Sequence, residues 1–570
     1  MTGLEELRAA LDGDLLTPAS PGYDAARLPA QPRYRNVRPQ AVIRCASTPD
    51  AAGAVTYART TGTRIVPRGG GHCFAGRSST DGLLLDLGRL DTVAVEVDGR
   101  VRIGAGARLA KVYEALHERG RTIPAGCGPT VGIAGLTLGG GLGLLGRRYG
   151  LTCDALVGAR VVLADGRRVD CDADQEPELF WALRGAGGGQ FGVVTSLVFV
   201  TVPEPRATRF ELRWPGAAAA AVVTAWQDWA PHAPDDITAN LRVLAEHRGP
   251  LRVVVFGAAL RDADATSALL DKLVAAAGVR PDVHLRAGLT VGDLKRSFAD
   301  LDHRADGAWL TTSRSEFFAC PLPAAAIAAL LDELTTRAPN GRRELNFTVM
   351  GGAYNRVASD ATAFAHRSEQ FLLEHVGEDT TGWVDRSWAI AHAHGSGRVY
   401  PNFPDPQLDN WADAYHGGNL ARLVAAKRAY DSDRLFSGVR ATLDAASVAT
   451  GNEQRDRHIR SVDFLDVENH PSIEFTSTQV RDVVGDAFTV EGDLTIHGVT
   501  RTVELAAECL GTVDDPSGGQ RVGFSATTTI SRAAFGVDIH LGFGAANVVV
   551  ADSIEITIDV EFTSQGAEHT

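Results

Sequence analysis

Pro67-Arg68-Gly69-Gly70-Gly71-His72-Cys73-Phe74-Ala75-Gly76-Arg77-Ser78 is the stretch on which the reading of this chain turns. Its glycine run gives a backbone that can approach a ligand closely and turn several N–H groups toward it, which suits a pyrophosphate. His72 follows directly, a side chain able to act as nucleophile, base or ligand. Taken alone, the stretch also reads as a tight turn ending in a histidine.

Two further glycine-rich stretches give it weight. Residues 124–143 read PAGCGPTVGIAGLTLGGGLG, and residues 185–195 read GAGGGQFGVVT. A helix or ordinary strand tolerates so many glycines poorly, because each costs up to about 1 kcal/mol against Ala in a helix. An unfolded linker is excluded by the interleaved Val, Ile and Leu. What remains is a backbone packed closely against something large and flat. The GxGxxG fingerprint of a dinucleotide-binding Rossmann unit, with its strand–turn–helix context and downstream acid, is not met.

The whole chain sets bounds around these loops. Its 570 residues predict two or three domains, and 44% hydrophobic content suffices for a large core. A formal charge of −14 argues against nucleic acid or an anionic membrane as main partner. No apolar run is long enough to span a bilayer. The segment from Met1 to Leu16 is amphipathic, without the basic start and apolar run of a signal peptide. The seven cysteines are scattered and odd in number, with no CxxC spacing, which predicts neither a disulfide framework nor a zinc site and fits the cytoplasm.

Around the loops, Ala41–Arg44 and 63–66 read as strands flanking an Ala-rich helix opened by Pro49, and 82–87 as a buried strand. Leu109, Val112, Tyr113 and Leu116 mark one face of a helix that Gly120 ends. Further on, 251–256 reads as a strand, and Ile327, Leu330, Leu331 and Leu334 as the face of a helix after Pro323. Composition alone supports a second α/β unit there.

The segments PRGGGHCFAG, CGPTVGIAGLTLGGGLGLLGRRYGL and GGGQFGVVT resemble the FAD-binding domain of the vanillyl-alcohol-oxidase and p-cresol-methylhydroxylase superfamily, and within it the berberine-bridge-enzyme-like oxidases. GGAYNRVASDATAFAHR (351–367), YPNFPD (400–405) and AKRAYDSDRLF (426–436) resemble that family's late motifs. The resemblance implies an α+β fold: an FAD-binding domain over 20–204 and 396–436, and between them, over 205–395, a substrate domain built as an antiparallel sheet backed by helices. It implies that FAD contacts Arg68, Gly69, Gly70, Gly71, His72, Gly76, Arg77, Ser78, Pro129, Thr130, Val131, Gly132, Gly135, Thr137, Gly140, Gly141, Gly143, Gly192, Val194 and Asn402. His72 is then the residue joined to the flavin 8α-methyl. Many relatives add a cysteine link immediately before the PTVG run. Here Gly128 holds that place and Cys127 stands one residue earlier, which favours a single histidyl link.

The same resemblance makes Tyr400 the base that takes the substrate hydroxyl proton while hydride passes to flavin N5. A phenol with an ordinary pKa near 10 needs a cation or hydrogen-bond donor to serve at neutral pH. Arg398 is a candidate by proximity alone. Several relatives carry an activating tyrosine at the variable place in GGGxG, where this chain has Leu142. Asn402 reads as pocket architecture or flavin contact, and His366 and Arg367 as supports of the substrate domain. Val131 goes with dioxygen as acceptor. The expected substrate is a small alcohol: a sugar, a glycosylated metabolite or a hydroxylated aromatic. A dehydrogenase using another acceptor is the alternative, and self-association stays open.

After Phe436 the pattern changes to strict alternation, as in Phe488, Val490, Leu494 and Ile496 against Thr489, Glu491, Asp493, Thr495 and His497. This predicts antiparallel strands with one dry and one wet face, over 439–443, 472–480, 487–497, 501–510, 521–531 and 553–563. Residues 450–478, GDLTIHGVTRTVEL (492–505) and ISRAAFGVDI (530–539) resemble the YceI family of lipocalin-like barrels, which bind long apolar chains. That implies a lipid ligand at 437–570, although an enclosing barrel needs about eight strands and the first ones of that family are missing. Only Ser437-Gly438 separates the domains. Asp456, His458 and His470 have irregular spacing and read as solvated loop residues rather than a metal site.

Overall fold

The computed structural model describes residues 3–246, 249–299, 312–336, 341–378, 382–405, 408, 410–432, 435–436, 440–484, 486–514, 520–537 and 551–564. Its principal divide falls between Tyr430 and Asp431. Ser437-Gly438 and the last residues of ISRAAFGVDI lie outside the described residues.

The first glycine loop leaves a small sheet ordered Asp14–Leu16, Ala41–Arg44, Leu83–Asp86, Ile65–Arg68. Leu83–Asp86 pairs in parallel with both Ala41–Arg44 and Ile65–Arg68. The helix Thr48–Thr61 makes the crossover that parallel strands require. The loop thus starts at the carboxyl end of a parallel strand, where ligands of open α/β sheets bind. A second, antiparallel sheet runs Val93–Val95, Arg100–Gly104, Val193–Val200, Leu156–Val162, Arg168–Cys171.

The expectation that the second glycine stretch excludes helix needs correction. Ile133–Leu138 forms a six-residue helix. Gly135 is its one internal glycine, and a penalty of about 1 kcal/mol is tolerable where Ile133, Ala134 and Leu138 are buried. The remaining glycines turn the chain back on itself, with Gly140 at φ 111° and Gly141 at φ 93°.

The intervening region is a seven-stranded sheet ordered Asp282–Leu289, Ala207–Pro215, Arg252–Ala259, Ile237–Ala245, Arg343–Val349, Phe371–Gly377, Thr312–Phe318. Each pairing in it is antiparallel. Helices Ala219–Trp229, Ala263–Ala277, Ala324–Thr335 and Trp383–His392 supply apolar side chains to one core on a single face. Leu345, Phe347, Leu373 and Phe371 enter that core from the strands, around the buried indole of Trp226. Period-two geometry then sends Glu344, Asn346, Thr348, Leu372 and Glu374 to the opposite face.

Arg147, from the GLLGRRYGL motif, joins the two parts of this unit. It is fully buried and donates to the carbonyls of Ile237, Pro231, Met350 and Ala233. Burial lowers its pKa to about 10, still charged at neutral pH. Arg367 holds Asp154 with two hydrogen bonds of 2.9 and 2.7 Å and also donates to the carbonyl of Tyr354, as expected of a structural support.

The C-terminal unit is a six-stranded antiparallel meander: Arg440–Asp444, Ser472–Val484, Ala487–Ile496, Val499–Asp514, Gln520–Ser531, Ser553–Ser564. These are the strands the alternation predicts, lengthened at several ends. The sheet curls as a half-barrel. Its apolar face is filled by Phe475, Val490, Leu494, Ile496 and Leu505, with Phe464, Leu465 and Phe535 packed against them.

Candidate active site

The first two glycine stretches meet face to face. A Cβ on Gly70 would overlap the backbone nitrogen of Gly132, and one on Gly132 would overlap that of Gly70. Gly143 lies as closely on the carbonyl of Ala125, and Gly69 less tightly, at 3.0 Å, on that of Ala105. Gly71 and Gly76 adopt φ of 72° and 69°, which L side chains rarely reach. Among the described residues, the hydroxyls of Ser78 and Ser79 are buried without a hydrogen-bond partner. Closely packed glycine backbone and two buried hydroxyls without partners, on the loop that follows a parallel strand, fit a bound pyrophosphate. On these observations the residues suit FAD.

His72 is half-buried between these loops. Burial first, then the Arg108 charge, lowers its pKa, against a hydrogen bond to the Thr130 backbone. The imidazole is therefore neutral at pH 7 and keeps a nucleophilic lone pair.

Other predicted contacts divide. Arg77, Pro129, Thr130 and Gly135 are exposed, and Val131 half-buried. Gly192 (φ 152°) and Val194, next to the sheet strand paired with Val161, are buried. Thr137 donates to Ile133 within its own helix, so its hydroxyl is spent on architecture. The Arg68 side chain runs beneath the loop, its Cδ within 3.4 Å of where a Cβ on Gly71 would stand. Its guanidinium donates to the carbonyls of Ala26 and Arg27, and the side chain is nearly buried. Those bonds make it a brace under the loop.

Cys127 lies beside Lys295. Buried Lys295 donates to the carbonyls of Ala125 (2.6 Å) and Gly126 (3.1 Å) and lies 3.7 Å from the Cys127 sulfur. The thiol packs beside Leu144, Ala207 and Ala258. At Gly128 a Cβ would come within 2.9 Å of Val131 Cγ2, so that position has little room for a cysteine.

Tyr400 has the donors that the sequence left unidentified. Its hydroxyl oxygen accepts from the backbone N–H of Gly141 and of Leu142, and from Asn402 Nδ2, each at 3.0 Å. Asn402 Nδ2 also donates to the carbonyl of Leu136, which fixes the orientation of the amide. Leu142 thus acts through its backbone, not its side chain. Arg398 is engaged by Asp413, to which it donates at 2.6 Å, and is not among the donors. Burial raises the Tyr400 pKa against the pull of Asn402, Leu142 and Gly141. Residue 400 is 2% exposed and enclosed by the rings of Phe317, Phe364 and Phe403. Three donors saturate the oxygen, and a substrate hydroxyl would have to displace one of them.

The residues that sequence reasoning missed lie on the open face of the seven-stranded sheet. Arg242, Asn346, Glu374 and Ser315 occupy one row across four adjacent strands. Arg242 Nε donates to Asn346 Oδ1 at 3.0 Å and lies 3.4 Å from Glu344. The Ser315 hydroxyl is buried without a partner among the described residues. Glu374 is half-buried on the sheet face opposite the helices. Burial, then the nearby Glu344 charge, pushes its pKa up to about 7, against hydrogen bonds from Ser313 and Asn346 and the Arg242 charge. Leu372, two residues earlier on the same face, packs in one cluster with Tyr400 and Phe364. The wall therefore continues from the glycine turn. The alternation in Glu344-Leu345-Asn346-Phe347-Thr348-Val349 is a signal that could have exposed one polar strand face.

Known proteins resemble this chain in sequence and fold. Residues 39–172 match the family described as FAD binding domain, and residues 415–562 the YceI-like domain. The FAD-linked oxidoreductase YgaK of Bacillus subtilis is 30% identical over 447 residues, 75% of this chain and 96% of that protein. The solved BBE-like 1 of Physcomitrella patens superposes with a TM-score of 0.70 at 26% identity, covering 76% of this chain and 97% of the other. Glucooligosaccharide oxidase from Acremonium strictum, described with 6-S-cysteinyl, 8α-N1-histidyl FAD, gives a TM-score of 0.69 at 26% identity, covering 76% and 98%.

Proposed function

Since the chain belongs to the family of FAD-linked oxidoreductases with a berberine-bridge-like fold, we propose that it oxidises a hydroxyl-rich alcohol of the carbohydrate type, with Glu374 as the proton acceptor and dioxygen as the final acceptor. The observation that carries this reading is the polar wall of Arg242, Asn346, Glu374 and Ser315 beside the glycine turn. A row of donors and acceptors suits a substrate with several hydroxyls better than an aromatic one. The oligosaccharide oxidase among its structural relatives supports the same class.

When bound, FAD supplies the hydride-accepting chemistry. The chain's residues do the rest. The facing loops of Gly70 and Gly132 hold the cofactor, with His72 as its single covalent anchor. Arg242 and Asn346 orient the substrate, and Glu374 takes the hydroxyl proton as the C–H bond breaks. A carboxyl poised near neutrality is matched to that task. Tyr400, assigned the base from sequence resemblance, becomes a positioning residue that pins the Gly140–Leu142 turn. The C-terminal sheet's apolar face is filled by its own side chains, which gives a lipid-carrying role no support.

The class is tested by anaerobic bleaching of the flavin with a panel of oligosaccharides, glycosides and benzylic alcohols. Fast bleaching by reducing sugars is expected. Bleaching by benzylic alcohols alone overturns the carbohydrate reading. Tyr400→Phe separates the two assignments of the base. It is expected to keep the bleaching rate within about tenfold of the parent, whereas loss of a general base costs about 10²–10⁴-fold.

A further inference from the structure

In the C-terminal unit three side chains converge that the sequence did not group. One nitrogen each of His470 and His497 and one carboxylate oxygen of Asp466 lie within 4.8 Å of one another, all three residues half-buried. The two imidazoles stand 4.6 Å apart between centroids at 64°. The trio weighed from sequence does not assemble. Asp456 accepts from the backbone and hydroxyl of Thr450, and His458 faces Asp463 at 3.5 Å. Only His470 of that trio joins the cluster.

The backbone that presents these groups is unusual. His497 and Gly498 are the two residues of the turn joining Ala487–Ile496 to Val499–Asp514, with φ of 51° and 72°. Two left-handed residues in a two-residue hairpin turn make the type I′ geometry, whose preferred first residue is Asn or Asp. A histidine in that place aims an imidazole at the loop before Ser472–Val484. Gly498 is pressed against it, since a Cβ there would lie 2.8 Å from His470 Cε1. Asp466 is likewise left-handed, at φ 44°. Asn469 Nδ2 donates to both its carboxylate oxygens, at 3.1 and 2.9 Å, which orients the carboxylate as the outer partners of metal ligands do. Among the described residues, non-glycine residues with positive φ are Glu176, Asp466 and His497, and two of the three belong to this cluster.

We propose that Asp466, His470 and His497 bind a divalent first-row transition-metal ion, zinc foremost, with water completing its coordination. Two imidazoles and one carboxylate are a borderline-soft nitrogen and oxygen set, suited to zinc and poorly suited to magnesium or calcium. Metal bonds of about 2.0–2.2 Å require the three ligand atoms to close in, a small movement for a hairpin tip and an adjacent loop. The ion ties that loop to the hairpin.

The test is calorimetric titration of the full chain with zinc chloride, beside His497→Asn and Asp466→Asn. Asparagine tolerates the left-handed conformation at both positions, so both variants keep the turn. The parent is expected to take up one equivalent more than either variant, and magnesium chloride to give no corresponding heat. Equal zinc uptake by parent and variants overturns the site, as does a parent that binds none.

Discussion

Glu374→Gln is expected to slow flavin reduction by about 10²–10⁴-fold, the usual contribution of a positioned general base. Glutamine keeps the shape and can still hydrogen-bond Asn346 and Ser313, but it accepts no proton. The fold should survive the change, because a carboxyl held up near 7 is already partly protonated at neutral pH. The pH dependence gives the sign. The reactive form is the carboxylate, and its pKa is raised above the ordinary value. The reduction rate should therefore climb as pH rises through about 7 and fall away below it. In the glutamine variant that limb should vanish. Stopped-flow reduction across pH 5–9, a range of about two pKa units either side, reads both quantities. A variant that retains the limb shows that another group titrates, and one that retains the rate removes Glu374 from the chemistry.

His72→Ala should release the cofactor from the protein on acid precipitation. The parent pellet should stay yellow and the variant pellet should be colourless. Burial and Arg108 lower the pKa of the imidazole and keep it neutral and nucleophilic. Without the tether the cofactor loses oxidising power, and reduction is expected to slow by about tenfold, or ~1.4 kcal/mol in the barrier. Cys127→Ala should leave colour and rate unchanged, because its sulfur lies 3.7 Å from the Lys295 ammonium and in an apolar cluster. A yellow His72→Ala pellet would place a covalent bond elsewhere. A colourless parent pellet would leave the cofactor bound without one.

The cradle was legible in sequence because its constraints are local. Gly70 and Gly132 stand where no side chain fits, and Gly71 at a φ of 72° that L side chains rarely adopt, and such positions show in one dimension. The strands of the C-terminal meander were legible for the same reason, since alternation is a neighbour-to-neighbour property. The wall around Glu374 was not. Phe371-Leu372-Leu373-Glu374-His375-Val376 carries no alternation, and Leu372 and Leu373 point to opposite faces although both are buried. What raises the Glu374 carboxyl is first its burial and then Glu344, thirty residues away in sequence and brought near by strand pairing. The donors to Tyr400 were hidden differently. Two are backbone N–H groups of Gly141 and Leu142, which have no residue identity to read. His470 and His497 escaped because their approach depends on a left-handed turn, not on spacing.

Gly70 and Gly132 lie backbone against backbone with no side chain between them. Side chains are what allow packed segments to slide, since rotamer changes absorb small displacements. Here nothing absorbs them. The segments around residues 70 and 132 can therefore part only together, and amide exchange should protect them to one common level. The two loops thus form one mechanical unit across more than sixty residues of chain, and a ligand held between them would be held by both at once.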